Sequence, residues 1–119
     1  MTEKQFEKQV KKFLSDQGCW VLKTWSNGVQ REGVPDLLVC CNGYFIGIEL
    51  KAANGHPSEL QKWNIKQIRN SGGIAIVLYP DQFDDFKTMI EYINFCDGSD
   101  DFNWFWEQQK NLFDRSENK

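Results

Sequence analysis

The sequence lacks the residues and segments that define several common protein classes. It has a single histidine, His56, and four cysteines without C-x-x-C spacing, whereas a zinc site needs clustered imidazoles or thiolates. The charged start carries no apolar signal segment, and nothing approaches the roughly 18 consecutive apolar residues of a membrane span. We therefore expect no zinc site, no membrane partner and a place in the cytoplasm.

The cysteines are also poorly placed for local bridging. Cys40 and Cys41 are adjacent in an apolar run, and neighbouring side chains in a strand point to opposite faces. We expect all four cysteines to be reduced and to serve as small hydrophobic residues.

The sequence has no repeats or low-complexity segments, and 119 residues suit a single domain. Its net charge of −3 is uneven, because residues 1–80 carry ten basic and seven acidic side chains while residues 81–119 carry four and ten. We divide the chain into a main domain over 1–96 and an acidic, tryptophan-rich helical extension of the same domain over 97–119. Global charge neither supports nor excludes a nucleic-acid partner.

Hydrophobic spacing predicts the order of the elements. Phe6, Val10, Phe13 and Leu14 recur at helical spacing and Gly18 supplies a stop. Beyond it, apolar runs, turn residues and further helical spacing predict strands over 19–25, 36–41, 44–51 and 74–79, and helices over 58–73 and after Pro80. This α-β-β-β-α-β-α order predicts an α/β domain in which helices flank a mixed β-sheet. Within 97–119 we expect a short terminal helix that packs on the domain or on a partner subunit. We expect its aromatic cluster, residues 102–106, to belong to the core or to a dimer surface rather than to stack on bases.

Three charged residues stand where strands would meet. Asp36 follows Pro35 at a strand start, and Glu49 and Lys51 are two apart in the next strand, so they share a face. An Asn-Gly pair at 42–43 favours a tight hairpin that folds one strand back on the other. Two close carboxylates repel unless a cation neutralises them, and magnesium prefers oxygen ligands. The pattern therefore indicates a divalent-metal site, although an E-x-K pair is also common as a solvated ion pair on a strand.

The segments GVPDLLV (33–39) and YFIGIELK (44–51) together resemble the signature of PD-(D/E)XK nucleases. The nearest group is the virus-type replication-repair nucleases (VRR-NUC), to which the archaeal Holliday junction resolvases are related. The resemblance implies a restriction-endonuclease-like fold over roughly residues 1–80. It also implies Mg²⁺ or Mn²⁺ bound by Asp36, Glu49 and the backbone carbonyl of Leu50, with Lys51 assisting the hydrolytic water.

Two further site residues come with the resemblance, and each has an alternative. Such families place an acid of the first helix near the metal, and of Glu3 and Glu7 we choose Glu7 as a catalytic and metal-proximal residue because of its distance to Gly18. A solvated acid at a helix start is the other interpretation, and it suits Glu3 better. Gln61 either faces the active site, as in the VRR-NUC pattern, or completes a capping box with Ser58.

DNA contacts are expected on both sides of the hairpin. Trp25, Asn27 and Arg31 lie in the segment before Asp36. Basic residues that fit phosphate contacts follow in the next helix, with a solvated helix face as the alternative: Lys62, Lys66 and Arg69. We expect His56, in a Gly/Pro loop, to be exposed.

By resemblance, the expected activity is that of a Mg-dependent endodeoxyribonuclease that cuts branched DNA such as a four-way junction, as a homodimer. A phage origin, and hence the bacterial host cytoplasm, also follows from the resemblance alone. The alternatives are a flap- or restriction-type nuclease on the same fold, or a DNA-binding protein that keeps the scaffold without cleaving.

Overall fold

The computed structural model describes residues 1–25, 32–96 and 101–114. Its elements follow the predicted order, including the short helix near the end. They are α1 (Glu3–Asp16), β1 (Trp20–Lys23), β2 (Leu37–Cys41), β3 (Tyr44–Leu50), α2 (Glu59–Asn70), β4 (Ile74–Leu78), α3 (Phe83–Phe95) and α4 (Asp101–Gln109), with 3₁₀ turns at Pro80–Gln82 and Lys110–Phe113.

The four strands form one mixed sheet in the order β1-β2-β3-β4. β1, β2 and β3 pair antiparallel, and β4 runs parallel to β3. The predicted hairpin is present, because Asn42 and Gly43 both adopt positive φ, at 50° and 86°, as a tight two-residue turn requires. The α/β prediction, with helices flanking a mixed sheet, is confirmed.

The sheet separates a large core from a small one. On one face, α1 and α3 cover the side chains of Ile46, Ile48 and Leu50, none of which is exposed to solvent. On the other face, α2 covers β4 through Ile65 and Val77. Side chains alternate between the two faces along β3, so Glu49 lies on the α2 side, opposite Ile48 and Leu50.

The C-terminal elements belong to the large core. Phe102, Trp106 and Phe113 are buried within it, and the ring of Phe102 lies 4.7 Å from that of Tyr44. The predicted terminal helix therefore packs on the domain itself. The division of the chain at residue 97 stays a prediction.

All four cysteines are free, as expected. Cys41 is buried and its Sγ lies 2.7 Å from that of Cys19, whereas Cys40 is exposed on the opposite face of β2. Burial raises the pKa of the Cys41 thiol. The interpretation as a small hydrophobic residue thus holds for Cys41 and is wrong for Cys40. In the described part of the chain, no helix is long and apolar enough to cross a membrane.

Candidate active site

The hairpin register brings the two predicted acids together. Leu37 pairs with Ile48, so the preceding Asp36 stands across from Glu49. The carboxylate of Asp36 accepts a hydrogen bond through Oδ2 from the backbone N–H of Leu50, at 2.9 Å. The tight turn at 42–43 therefore delivers Asp36 to the carboxyl end of β3, where Glu49 and Lys51 emerge.

The chain segment that leads to Asp36 is held by contacts with β1 and α2 on its two sides. The Thr24 hydroxyl donates to the carbonyl of Pro35 at 2.9 Å, which ties this segment to the end of β1. From α2, the buried Asn64 amide donates to the carbonyl of Glu32 at 3.4 Å. Gly33 has φ +80°, and a Cβ there would lie 2.6 Å from the Leu60 side chain. Glycine at 33 therefore lets α2 pack closely against the chain that leads to the aspartate.

Among the described residues, Glu49 is the charged residue that is buried. It is only 2% exposed, and its Oε1 makes no hydrogen bond within the described part of the chain. Its Oε2 lies 3.5 Å from Nζ of Lys51. Burial, reinforced by the neighbouring Asp36 carboxylate, raises the pKa of Glu49 to about 8. A buried carboxylate with an unused oxygen is costly unless a cation binds it, so the site fits a metal ion.

Glu7 reaches the same end of the sheet from α1. Its Oε1 lies 2.7 Å from Nζ of Lys23, and Lys23 lies 3.8 Å from Oδ1 of Asp36. Burial alone would raise the pKa of Glu7, but the ammonium groups of Lys23 and Lys11 outweigh it and hold the pKa below its usual value. The structure thus places Glu7 at the site, while Glu3 is exposed.

Lys23 is the site residue that the sequence analysis missed. It ends β1, and its pairing with Leu37 of β2 sets it beside the start of that strand. A lone lysine at the end of the apolar run WVLK was the available signal, but only the sheet register shows that it meets Asp36.

The acids do not form a complete ligand cage. Among the described residues, no three histidine, cysteine, aspartate or glutamate side chains stand close enough to hold one metal ion. The predicted set of Asp36, Glu49 and Glu7 is therefore not assembled, because Lys23 holds Glu7 in an ion pair. Asp36 and Glu49 remain the fitting donors, and the carbonyl contact predicted for Leu50 stays a prediction.

Gln61 takes part in the helix cap. Its Oε1 accepts from the Ser58 backbone N–H at 2.8 Å, and the Ser58 hydroxyl accepts from the Gln61 N–H at 3.1 Å. The capping-box alternative is therefore present, and a role of Gln61 in catalysis stays a prediction.

The predicted DNA contacts divide into three groups. Trp25 is 68% exposed and Lys66 is exposed, so both side chains reach the surface. Lys62 is partly exposed, and its ion pair within the described residues is with the exposed Glu59, at 3.4 Å. Asn27 and Arg31 lie outside the described residues. His56 is exposed, as expected.

Arg69 has a structural role in the domain. Its guanidinium donates to both carboxylate oxygens of Asp114, at 3.0 and 2.9 Å, and to the carbonyl of Ala75 at 2.8 Å. It also lies over the ring of Trp106, with 5.4 Å to the centroid. These hydrogen bonds use three of its five N–H donors, and a phosphate contact at Arg69 stays a prediction.

Comparison with known proteins agrees with this geometry. The model of the archaeal Holliday junction resolvase family (Hjc) matches residues 2–78. A solved structure described as a VRR_NUC domain is 28% identical, with a TM-score of 0.62, and the match covers 76% of this chain and 97% of that chain. No curated protein matches the chain. The family match ends within β4, so α3 and α4 lie beyond it.

Proposed function

The chain belongs to the archaeal Holliday junction resolvase family, and from this premise we propose that it is a metal-dependent endonuclease that cuts branched DNA, such as a four-way junction. The family and the VRR_NUC neighbour support a nuclease that binds DNA. The metal requirement and the branched substrate are the proposal. One observation carries it: the buried carboxylate of Glu49, with its unused Oε1, stands beside Asp36 at the end of the hairpin.

The donor set suits Mg²⁺ or Mn²⁺. Asp36 and Glu49 offer hard carboxylate oxygens, and the backbone carbonyl of Leu50, the residue after Glu49, is a further proposed ligand. When bound, such an ion lowers the pKa of a water molecule and stabilises negative charge on the scissile phosphate.

The chain's own residues supply the remaining functions. Lys51 is 16% exposed and sits 3.5 Å from Glu49, so its ammonium is partly shielded and directed toward the acids. From this position it orients the attacking water and offsets the charge that develops on the phosphate. Hydrolysis joins the water oxygen to phosphorus and releases the sugar oxygen of the cut strand. Trp25, Lys62 and Lys66 are the proposed DNA contacts that the structure describes.

A homodimer is part of the proposal, because two-fold symmetry would present two such sites to the two related strands of a junction. Trp20, Leu22 and Phe45 lie on one face of the sheet and are 61%, 41% and 45% exposed. This apolar strip could be covered by a second copy. We further propose the bacterial cytoplasm, during phage infection, as the place of action, on the resemblance alone.

Cleavage assays test the proposal directly. Labelled four-way junction, flap, single-stranded and linear duplex DNA are each incubated with the protein in Mg²⁺, Mn²⁺ or EDTA. We expect paired nicks in the junction only with metal, reduced about 100-fold or more in Asp36→Asn and Lys51→Met. Glu3→Gln, an exposed acid on the same helix as Glu7, is the matched control and should cut like the wild type.

The other DNA substrates and a mass measurement decide between the alternative activities and oligomeric states. Preferred cleavage of the flap or of linear duplex would replace the junction with that substrate. Tight DNA binding without cleavage in either metal would favour a non-catalytic scaffold protein. Light scattering that gives the mass of one chain at micromolar concentration would contradict the homodimer.

A further inference from the structure

We propose that Lys23 is an internal counter-ion that holds the carboxylates of Glu7 and Asp36 until a divalent cation displaces it. Metal binding would then be a cation exchange, in which the ammonium leaves as the ion enters. The inference rests on the proposed function, because it assumes that Asp36 takes part in binding the metal.

The contacts of Lys23 carry this inference. Its Nζ lies 2.7 Å from Oε1 of Glu7 and 3.8 Å from Oδ1 of Asp36, so one ammonium bridges two acids from different elements. The other oxygen of Asp36 is held by the Leu50 N–H. Oδ1, the carboxylate oxygen of Asp36 that remains for a metal, therefore faces Lys23.

Charge is distributed unevenly across the site. Glu7 has Lys23 and, at 3.5 Å, Lys11, whereas Glu49, within the described part of the chain, forms its ion pair with Lys51 at 3.5 Å and keeps an unused oxygen. The ion pairs of Lys23 therefore compensate Glu7 and Asp36, while the buried carboxylate of Glu49 still needs a cation.

The ammonium is the more movable partner in this arrangement. The side chain of Lys23 is 36% exposed and sits on a flexible four-carbon stem, so it can turn to solvent. Asp36 is anchored by backbone contacts on both sides of the sheet end and cannot follow it. An ion bound by Asp36 repels Lys23 electrostatically, and release of Lys23 would free Glu7 toward the ion.

Direct metal titration of the full chain tests the exchange. Calorimetry with Mn²⁺ alone, without DNA, compares the wild type with Lys23→Met, Lys23→Arg and Lys11→Met. We expect Lys23→Met to bind Mn²⁺ about tenfold more tightly, which corresponds to ~1.4 kcal/mol. Lys11→Met removes a cation that contacts the same glutamate from outside the cluster and should stay within about twofold of wild type, as should the charge-conserving Lys23→Arg.

Stability without metal gives an independent measurement. In EDTA, Lys23→Met should melt below the wild type, because its acids repel without their counter-ion, and Mn²⁺ should raise its melting temperature more than that of the wild type. In the wild type itself, side-chain NMR should show the Lys23 ammonium in its ion pair in EDTA and released from it in saturating Mg²⁺. The NMR measurement uses the wild type, so it does not depend on whether Lys23→Met folds.

Clear results would overturn the inference. Equal or weaker Mn²⁺ binding by Lys23→Met, or an ammonium signal unchanged by Mg²⁺ in a wild type that does bind the metal, means that Lys23 is not displaced. If the wild type binds no metal at millimolar concentration, the proposed function fails and the exchange fails with it. The two failures are therefore distinguishable by the behaviour of the wild type.

Discussion

Two ionic clusters of this molecule differ in how completely their polar atoms are satisfied. In the first, which we call the Arg69 clamp, Arg69 meets Asp114 in a two-pronged ion pair, bonds the Ala75 carbonyl and lies over Trp106. The second is the acid cluster, which consists of Asp36, Glu49, Glu7, Lys23 and Lys51. In this cluster the buried Oε1 of Glu49 has no hydrogen-bond partner within the described residues.

The difference separates a cluster that supports the fold from one that fits the proposed chemistry. Satisfied donors and acceptors hold elements together, and the clamp joins α2 to the segment after α4. An unsatisfied buried carboxylate weakens the fold, and under the proposal a bound cation would compensate it. Incomplete satisfaction, rather than the number of charges, thus marks the candidate active site.

The largest expected effect is a loss of DNA cleavage without a loss of stability, on substitution of Glu49 in the acid cluster. Glu49→Gln keeps the shape of the side chain and removes its buried charge, so we expect DNA cleavage to fall about 100-fold or more. We expect the free energy of unfolding in EDTA at pH 8 to stay equal or rise, because a neutral amide is less costly to bury than a carboxylate. Cleavage assays and urea unfolding measure the two effects, and a clear loss of stability would contradict the interpretation.

The clamp should show the opposite behaviour. Arg69→Met removes the ion pair with Asp114 and the bond to Ala75, so we expect a loss of about 2 kcal/mol in the free energy of unfolding, with Mn²⁺ affinity unchanged. Lys62→Met is the matched control on the same helix, since Lys62 pairs only with an exposed acid and should affect stability by less than about 0.5 kcal/mol. Equal losses in the two variants would remove the distinction.

The smallest effect, per pH unit, is a pH dependence of stability. Burial and the Asp36 carboxylate raise the pKa of Glu49 from 4.5 to about 8, so between these values the folded state binds up to one more proton than the unfolded state. Stability without metal should therefore fall as pH rises from 5 to 8, by at most about 1.4 kcal/mol per pH unit. The lowered pKa of Glu7 acts at the acid end, where its stabilisation is lost as pH falls, and the raised pKa of Lys23 acts above this window.

Urea unfolding in EDTA at several pH values measures this dependence, with Glu49→Gln as the control that should flatten it. Saturating Mg²⁺ should also flatten it in the wild type, because a bound cation favours the ionised carboxylate. If the free energy of unfolding changes with pH at the same slope in the wild type and in Glu49→Gln, the extra proton of the folded state is bound by another group.

Local rules in the sequence were sufficient for the hairpin and its acids. Asn42-Gly43 specifies a tight turn, and a two-residue period specifies which side chains share a face. Asp36 and Glu49 were therefore predictable as neighbours, and Glu7 followed from the family resemblance. The capping box was also predictable locally, from Ser58 and Gln61, and a catalytic role of Gln61 stays a prediction beside it.

Sequence alone was thus enough for the order of the elements along the chain, for the turn and for the pair of acids, because each depends on residues close together in the chain. The roles of Lys23 and Arg69 emerged only from the folded arrangement, since their partners lie 16 and 45 residues away. A lysine or arginine looks the same in sequence whether it contacts DNA, clamps a helix or neutralises an acid. Its role is set by the charges that folding brings within a few ångströms, and these come from distant parts of the chain.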